Sequence, residues 1–197
     1  ICWTWESPRP RLWRWGSLLI LCLLPPAWAL AMAGMESRAF PVLADPGAAW
    51  SRRGWILNSV HRSLSPENAL RLERNPSAGP GQAYSGAFRS PVRGDWRRMA
   101  AFQTKLFWPM ARPAVFAVRV DDRPGNPPYA ERFQREFAVS QGWNSVDIPV
   151  AELRRAAGGR PLALNAIRQW GVFLVSDVPF DYFLVGPVRL EMQKEKP

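Results

Sequence analysis

Cysteine and histidine are scarce in this sequence of 197 residues, with two cysteines and one histidine. Both cysteines, Cys2 and Cys22, fall within the first 35 residues. Residues 36–197 can therefore form no disulfide among themselves and must hold together by their core. His61 stands alone in "NSVHRSLSPEN", and one histidine without cysteine argues against a zinc or Cys-His centre in the body. No serine sits in a Gly-x-Ser-x-Gly turn, which removes the nucleophile elbow of the α/β-hydrolases. There is no internal repeat and no low-complexity tract.

Lysine is also rare, since 23 of the 26 basic residues are arginine. The first 35 residues take three arginines and one glutamate, leaving 23 basic and 15 acidic side chains in the body, a net charge of about +8. An anionic polymer or lipid surface is one reading of that excess. The arginines are dispersed, however, with no run longer than two, as on a solvated surface, so nucleic acid is not favoured.

Residues 1–35 differ in kind from the rest. Arg9, Arg11 and Arg14 precede the uncharged run "GSLLILCLLPPAWALAMAGM" (16–35). A basic start, an apolar stretch and Ala-x-Ala steps are the pattern of a secretory signal peptide. About 20 apolar residues can also span a bilayer, so a membrane anchor over 16–35 is the alternative. Pro25-Pro26 interrupts the run near the expected cleavage region and favours the signal. The expectation is an exported protein, periplasmic or extracellular, touching membrane only through this leader. Residues 36–197 then form one domain, long enough to bury roughly 70% of its unfolded surface.

Period-two alternation dominates the body. It runs through "ALRLER" (69–74), "AAFQTKLFW" (100–108), "AVFAVRVD" (114–121), "RFQREFAV" (132–139), "NSVDIPV" (144–150), "AIRQWGVFLV" (166–175) and "FDYFLVGPVRLEM" (180–192). Turn-forming stretches such as "DDRPGNPP" and "SQGWN" separate the strands. Only "PVAELRRAAGG" (149–159) predicts a short helix, ended by Gly158-Gly159. Many short strands and one short helix predict an all-β fold, a β-sandwich or jelly roll. In 114–121, Phe116, Val118 and Val120 share the face that suits the core. Ala117, Arg119 and Asp121 share the other, which the alternation turns outward.

The order "GDW" (94–96), "VRVDD" (118–122), "YAERF" (129–133), "GWNSVDIPVAEL" (142–153), "IRQWGVFL" (167–174) and "FLVGPVRL" (183–190) resembles the galactose-binding-like β-sandwiches. The similarity is to family 11 carbohydrate-binding modules and to the complex I intermediate-associated-protein-like domains. It covers most of 69–191. The resemblance implies a jelly roll with one concave sheet and a non-catalytic, carbohydrate-binding role. The relatives' final strand often carries an Asp pair that can serve a structural calcium, where this chain has Gly186-Pro187. No metal and no cofactor is expected.

Candidate ligand-binding residues follow. Arg119 and Asp121 could grip sugar hydroxyls, because charged groups make the stronger hydrogen bonds. Alternatively they form a pair that anchors the loop, with Arg132 as the natural partner of Asp121 or Asp122. Tyr129 could stack on a sugar face or plug the loop. Trp108, beside Pro109, is the best candidate for an exposed ring. Trp170 belongs to the core, and Trp96 and Trp143 could cap the ends of the sandwich. Asp121, Asp122, Glu131 and Glu136 could serve a glycosidase, but Arg119, Arg123, Arg132 and Arg135 should depress their pKa values, which is wrong for a general acid. The favoured reading is an exported, non-catalytic module for carbohydrate such as a cell-envelope polysaccharide. The alternative is a scaffold or assembly domain binding protein partners.

Overall fold

A computed structural model describes residues 12–78 and 84–193, with side chains from residue 24 onward. Contacts divide the chain into two compact units between Met35 and Glu36. Helix α1 (Leu12–Ala39) continues through Pro25 and Pro26. Each proline removes an N–H donor from the helical ladder. Among the described residues no helix is long and apolar enough to cross a membrane.

The second unit is a β-sandwich of two sheets, with all strand pairings among the described residues antiparallel. Among the described residues its strands are β1 (Val42–Ala44), β2 (Trp55–Asn58), β3 (Val60–Leu64), β4 (Leu70–Arg74), β5 (Gly86–Arg89), β6 (Met99–Trp108), β7 (Ala114–Asp121), β8 (Phe133–Val139), β9 (Gly142–Pro149), β10 (Gln169–Leu174), β11 (Tyr182–Val185) and β12 (Val188–Met192). One sheet runs β1-β12-β6-β11-β4-β3, with β9 on the other side of β6. The second runs β2-β5-β10-β7-β8.

The single long strand expected over 180–192 is two strands, because Pro187 has no N–H to give the ladder. β11 and β12 follow one another along the same side of β6, pairing Leu184 with Phe107 and Leu190 with Phe102. Gly186 bridges the break through its N–H to the Lys105 carbonyl at 2.9 Å. The expected helix shrinks to α2 (Val150–Leu153). Beyond it the backbone is diverted into a turn, with the N–H of Ala156 bound to the Arg160 carbonyl and that of Gly158 to the Ala130 carbonyl. A Cβ on Gly158 would lie 2.6 Å from that oxygen, a distance only glycine permits.

The two inner faces meet in a core built largely of aromatic rings. Phe116, Val118 and Val120 of β7 point into it, as alternation predicts, beside Trp170, Val172 and Leu174 of β10. Trp170 meets Trp55 and Phe102 edge to face, at 5.6 and 5.7 Å. Trp96 closes the core against Phe102. Trp108 also lies in it, fully buried, packed edge to face on Phe116 at 5.6 Å with its Nε1–H donating to the Arg112 carbonyl. The expected exposed ring at Trp108 is therefore not found. The strand ends at Trp108 as expected, and its alternation places Trp108 in phase with Leu106 and Phe102, facing the core. Within the sandwich's described residues the exposed tryptophan is Trp143, beside Phe107 on the larger sheet.

This geometry sets two substitutions apart. Trp108→Ala should destabilise the domain by about 3–5 kcal/mol, the cost of a large buried aromatic, whereas Trp143→Ala should change stability by less than about 1 kcal/mol. Urea unfolding of both variants checks this; equal effects would mean that Trp108 is not a core residue.

Candidate functional site

The outer faces of the two sheets differ in how their polar groups are satisfied. On the seven-stranded sheet they pair with one another. Gln103 bonds Asp147, Glu191 and Arg189, and Arg71 reaches Glu73 while lying over the Tyr182 ring at 3.6 Å. The five-stranded sheet instead carries a groove of about 510 Å³. Its floor and one wall are aromatic, and its other end is polar.

The aromatic half follows from small residues at set positions. Phe88 of β5 faces Gly171 of β10 across the ladder, and Phe173 faces Gly86. The Phe88 ring occupies the space a side chain on Gly171 would need, a Cβ there sitting 2.1 Å from it, and a Cβ on Gly86 would lie 2.4 Å from the Val172 carbonyl and 2.5 Å from the Phe173 Cβ. The rings stack at 5.5 Å, and Tyr84 meets Phe173 edge to face at 5.5 Å. Of the three, Tyr84 is the ring that presents area to solvent, at 47% exposure. Its φ of 76° lies in the left-handed region, unfavourable for a bulky side chain. Its N–H to the Leu174 carbonyl and its carbonyl to Asn58 Nδ2 hold it there. Strain of this kind is found where a side chain must be presented.

The polar half is organised by Arg119. Its strand face does point outward, yet Ala117, Arg119 and Asp121 are all buried, at 0, 6 and 0% exposure. The correction to the expected exposure has a visible cause: the loop after β7 folds back, and Asn126 Oδ1 accepts from Arg119 Nη1 at 2.8 Å. Arg119 Nε donates to both oxygens of Asp121, at 3.0 and 2.8 Å, and Gln169 Nε2 lies 3.5 Å from one of them. Asp121 is thus a partner that orients Arg119 and not an accessible ligand group. Its burial pushes its carboxyl pKa up, against the Arg119 hydrogen bonds that lower it. The expected depression by neighbouring arginines is outweighed here by desolvation.

Asp122 behaves oppositely, because its side chain points to the next segment. Arg160 donates to both its oxygens, at 2.9 and 2.6 Å, and the Ala163 N–H to one of them at 2.8 Å. These bonds hold its pKa below the usual carboxylate range. Arg160, and not Arg132, is therefore the tether, from 38 residues further along the chain. Glu131 pairs with Arg123. No Asp or Glu lines the groove among the described residues, and none group with His or Cys as metal ligands would.

Arg132 lines the groove beside Arg119. Burial, and then the Arg119 charge, push its pKa below the usual value. Tyr129 is exposed in the 3-10 turn Tyr129–Glu131, its ring 5.8 Å from the Arg132 guanidinium carbon. Three buried polar atoms at this end have no hydrogen-bond partner: Arg119 Nη2, Arg132 Nε and Gln134 Oε1. Of the residues the sequence singled out, Arg119 and Arg132 line this groove; Tyr84, Phe88, Phe173 and Gln169 line it as well and were not singled out. For Phe173 the signal was present, since placing Trp170, Val172 and Leu174 in the core turns Gly171 and Phe173 outward. Tyr84 adjoins a Gly-Pro-rich stretch that shows no periodicity.

No protein-family model matches the chain, and no curated protein does. Solved structures match its fold. A family 11 carbohydrate-binding module from Clostridium thermocellum, in complex with a β-1,3-1,4-mixed-linked tetrasaccharide, aligns with a TM-score of 0.55 at 16% identity, over 79% of this chain and 96% of that one. The solution structure of a family 11 module gives 0.57 at 15%, over 78% and 95%. An agarase gives 0.57 at 14%, over 78% of this chain and 26% of its own. This chain spans about a quarter of the agarases it matches. At these identities the likeness is one of fold, a galactose-binding-like sandwich that this chain has in common with carbohydrate-binding modules.

The Asp122 tether makes a pH prediction. A depressed folded pKa adds stability that is fully present above the unfolded carboxylate value, near 3.9, and is lost as pH falls through the folded one. Asp122→Asn should cost on the order of 2 kcal/mol at neutral pH and flatten the acid limb of the stability profile. Unfolding free energies between pH 2 and 7 check this, and an unchanged acid limb would remove Asp122 from it.

Proposed function

We propose that the sandwich is a carbohydrate-binding module without catalysis, and that the groove on the five-stranded sheet is its sugar site. The observation that carries this is the pairing of an exposed ring, Tyr84, with a guanidinium held almost wholly buried at the other end of the groove, Arg119, whose Nη2 has no partner. A buried donor left unsatisfied costs about 1–3 kcal/mol unless a ligand supplies an acceptor. An aromatic face stacks on the apolar face of a sugar ring while fixed donors take its hydroxyls. The family 11 modules of like fold support the sugar class. Asp121 and Gln169 orient Arg119, and Phe88 and Phe173 back the Tyr84 ring. The absence of carboxylates from the groove lining supports binding over hydrolysis. The reading extends to an exported protein, periplasmic or extracellular, on the strength of the basic start and apolar run of the leader.

A glycan array that includes mixed-linkage β-glucans, agar-type galactans and acidic polysaccharides tests the proposal. Binding to a small set of related glycans is expected, with Arg119→Ala and Tyr84→Ala each weakening it about tenfold or more. Thermal melts establish that both variants fold. A well-folded protein that binds no glycan, or folded variants that bind as well as the parent, would sink the proposal and direct the search to protein partners.

A further inference from the structure

We infer that the groove takes an acidic sugar, one bearing a carboxylate or a sulfate, held between Arg119 and Arg132. This rests on the sugar-binding reading and adds the sign of the ligand's charge. The groove lining includes two guanidinium groups and no carboxylate. The one acid that neutralises Arg119 lies wholly buried beside it, with both oxygens already taken by Arg119 Nε. The acid next to Arg132 in sequence, Glu131, is engaged by Arg123. Arg97, Arg135 and Arg160 each have an acid, respectively Asp95, Glu152 and Asp122. Arg132 is one of many arginines without an ion pair among the described residues, but it lines the groove and its Nε is buried without a partner there.

Two like charges brought together out of water repel, and a neutral hydroxyl would satisfy a donor without relieving that repulsion. An anion does both, and carboxylate and sulfate oxygens match guanidinium N–H geometry. A bare inorganic anion would leave two features unused. Gln169 also lines the groove, and its amide can meet a hydroxyl on the same ligand. Tyr84 offers a ring face across the groove. Anion, hydroxyl and ring together describe a charged sugar.

Titration calorimetry on the whole protein with matched ligand pairs tests this. One pair is oligogalacturonate against its methyl ester; the other is a sulfated galactan oligosaccharide against neutral agarose oligosaccharides. The acidic member of at least one pair should bind about tenfold tighter or better, and which pair responds separates carboxylate from sulfate. Arg132→Gln should abolish that preference, while Arg189→Gln, on the opposite sheet, should leave it intact. Equal or tighter binding of the neutral members would overturn the acidic-sugar inference and leave the sugar site standing. A preference that survives Arg132→Gln, or falls equally with Arg189→Gln, would reduce it to attraction by the net charge and overturn it too. No binding of any glycan by a folded protein would remove the sugar site and this inference together.

Discussion

The buried ion pair of Arg119 and Asp121 is the constraint around which this face of the molecule is arranged. Taking two charges out of water costs several kcal/mol for each ion, and the attraction between them offsets that only when their other hydrogen-bonding atoms are also served. The surrounding chain meets much of that demand. Asn126 is brought back by the loop to take Nη1, Gln169 approaches the carboxylate, and Asp122 fastens the next segment through Arg160 and Ala163. One guanidinium nitrogen is left over. A fold that goes to this length to dehydrate an arginine holds its guanidinium in one orientation.

The two adjacent aspartates show how one dipeptide serves two ends. Strand geometry sends successive side chains to opposite sides. Asp121 therefore stays with the sheet and Asp122 leaves it for the neighbouring loop. Their surroundings move their proton affinities in opposite directions, one raised by desolvation and the other lowered by Arg160. Neither is placed to meet a ligand, which separates this face from the paired acids of a glycosidase.

The sandwich was legible in the sequence wherever one face of a strand is apolar. β4, β6, β7, β8, β9 and β10 sit close to where alternation put them; in β7 and β10 the second face is buried too, but its Arg119, Asp121 and Gln169 keep the polar half of the pattern. β1, β2, β3 and β5 were not read, being short and, in β5, buried on both faces so that no alternation remains. Trp108 went astray because a proline beside it suggested a loop, although the strand's own phase held the answer. At the site, charge was easier to read than shape. Arg119 stands out in a strand, but its burial depends on Asn126 folding back from seven residues away, and Tyr84 on a backbone conformation that no local pattern announces. Partners distant in sequence, such as Arg160 for Asp122, cannot be found by spacing alone.

The glycine at 171 has a wider meaning than the clearance it gives one ring. Because Phe88 lies where a side chain on residue 171 would go, the level of the groove floor is set by an atom that is missing, not by the residues that line the walls. Adding a single methyl group there would force an aromatic ring to move without replacing any polar side chain of the lining. Depth and chemistry are thus written at separate positions in this chain. A lineage could reshape what fits the groove through its smallest residues while its arginines stay as they are.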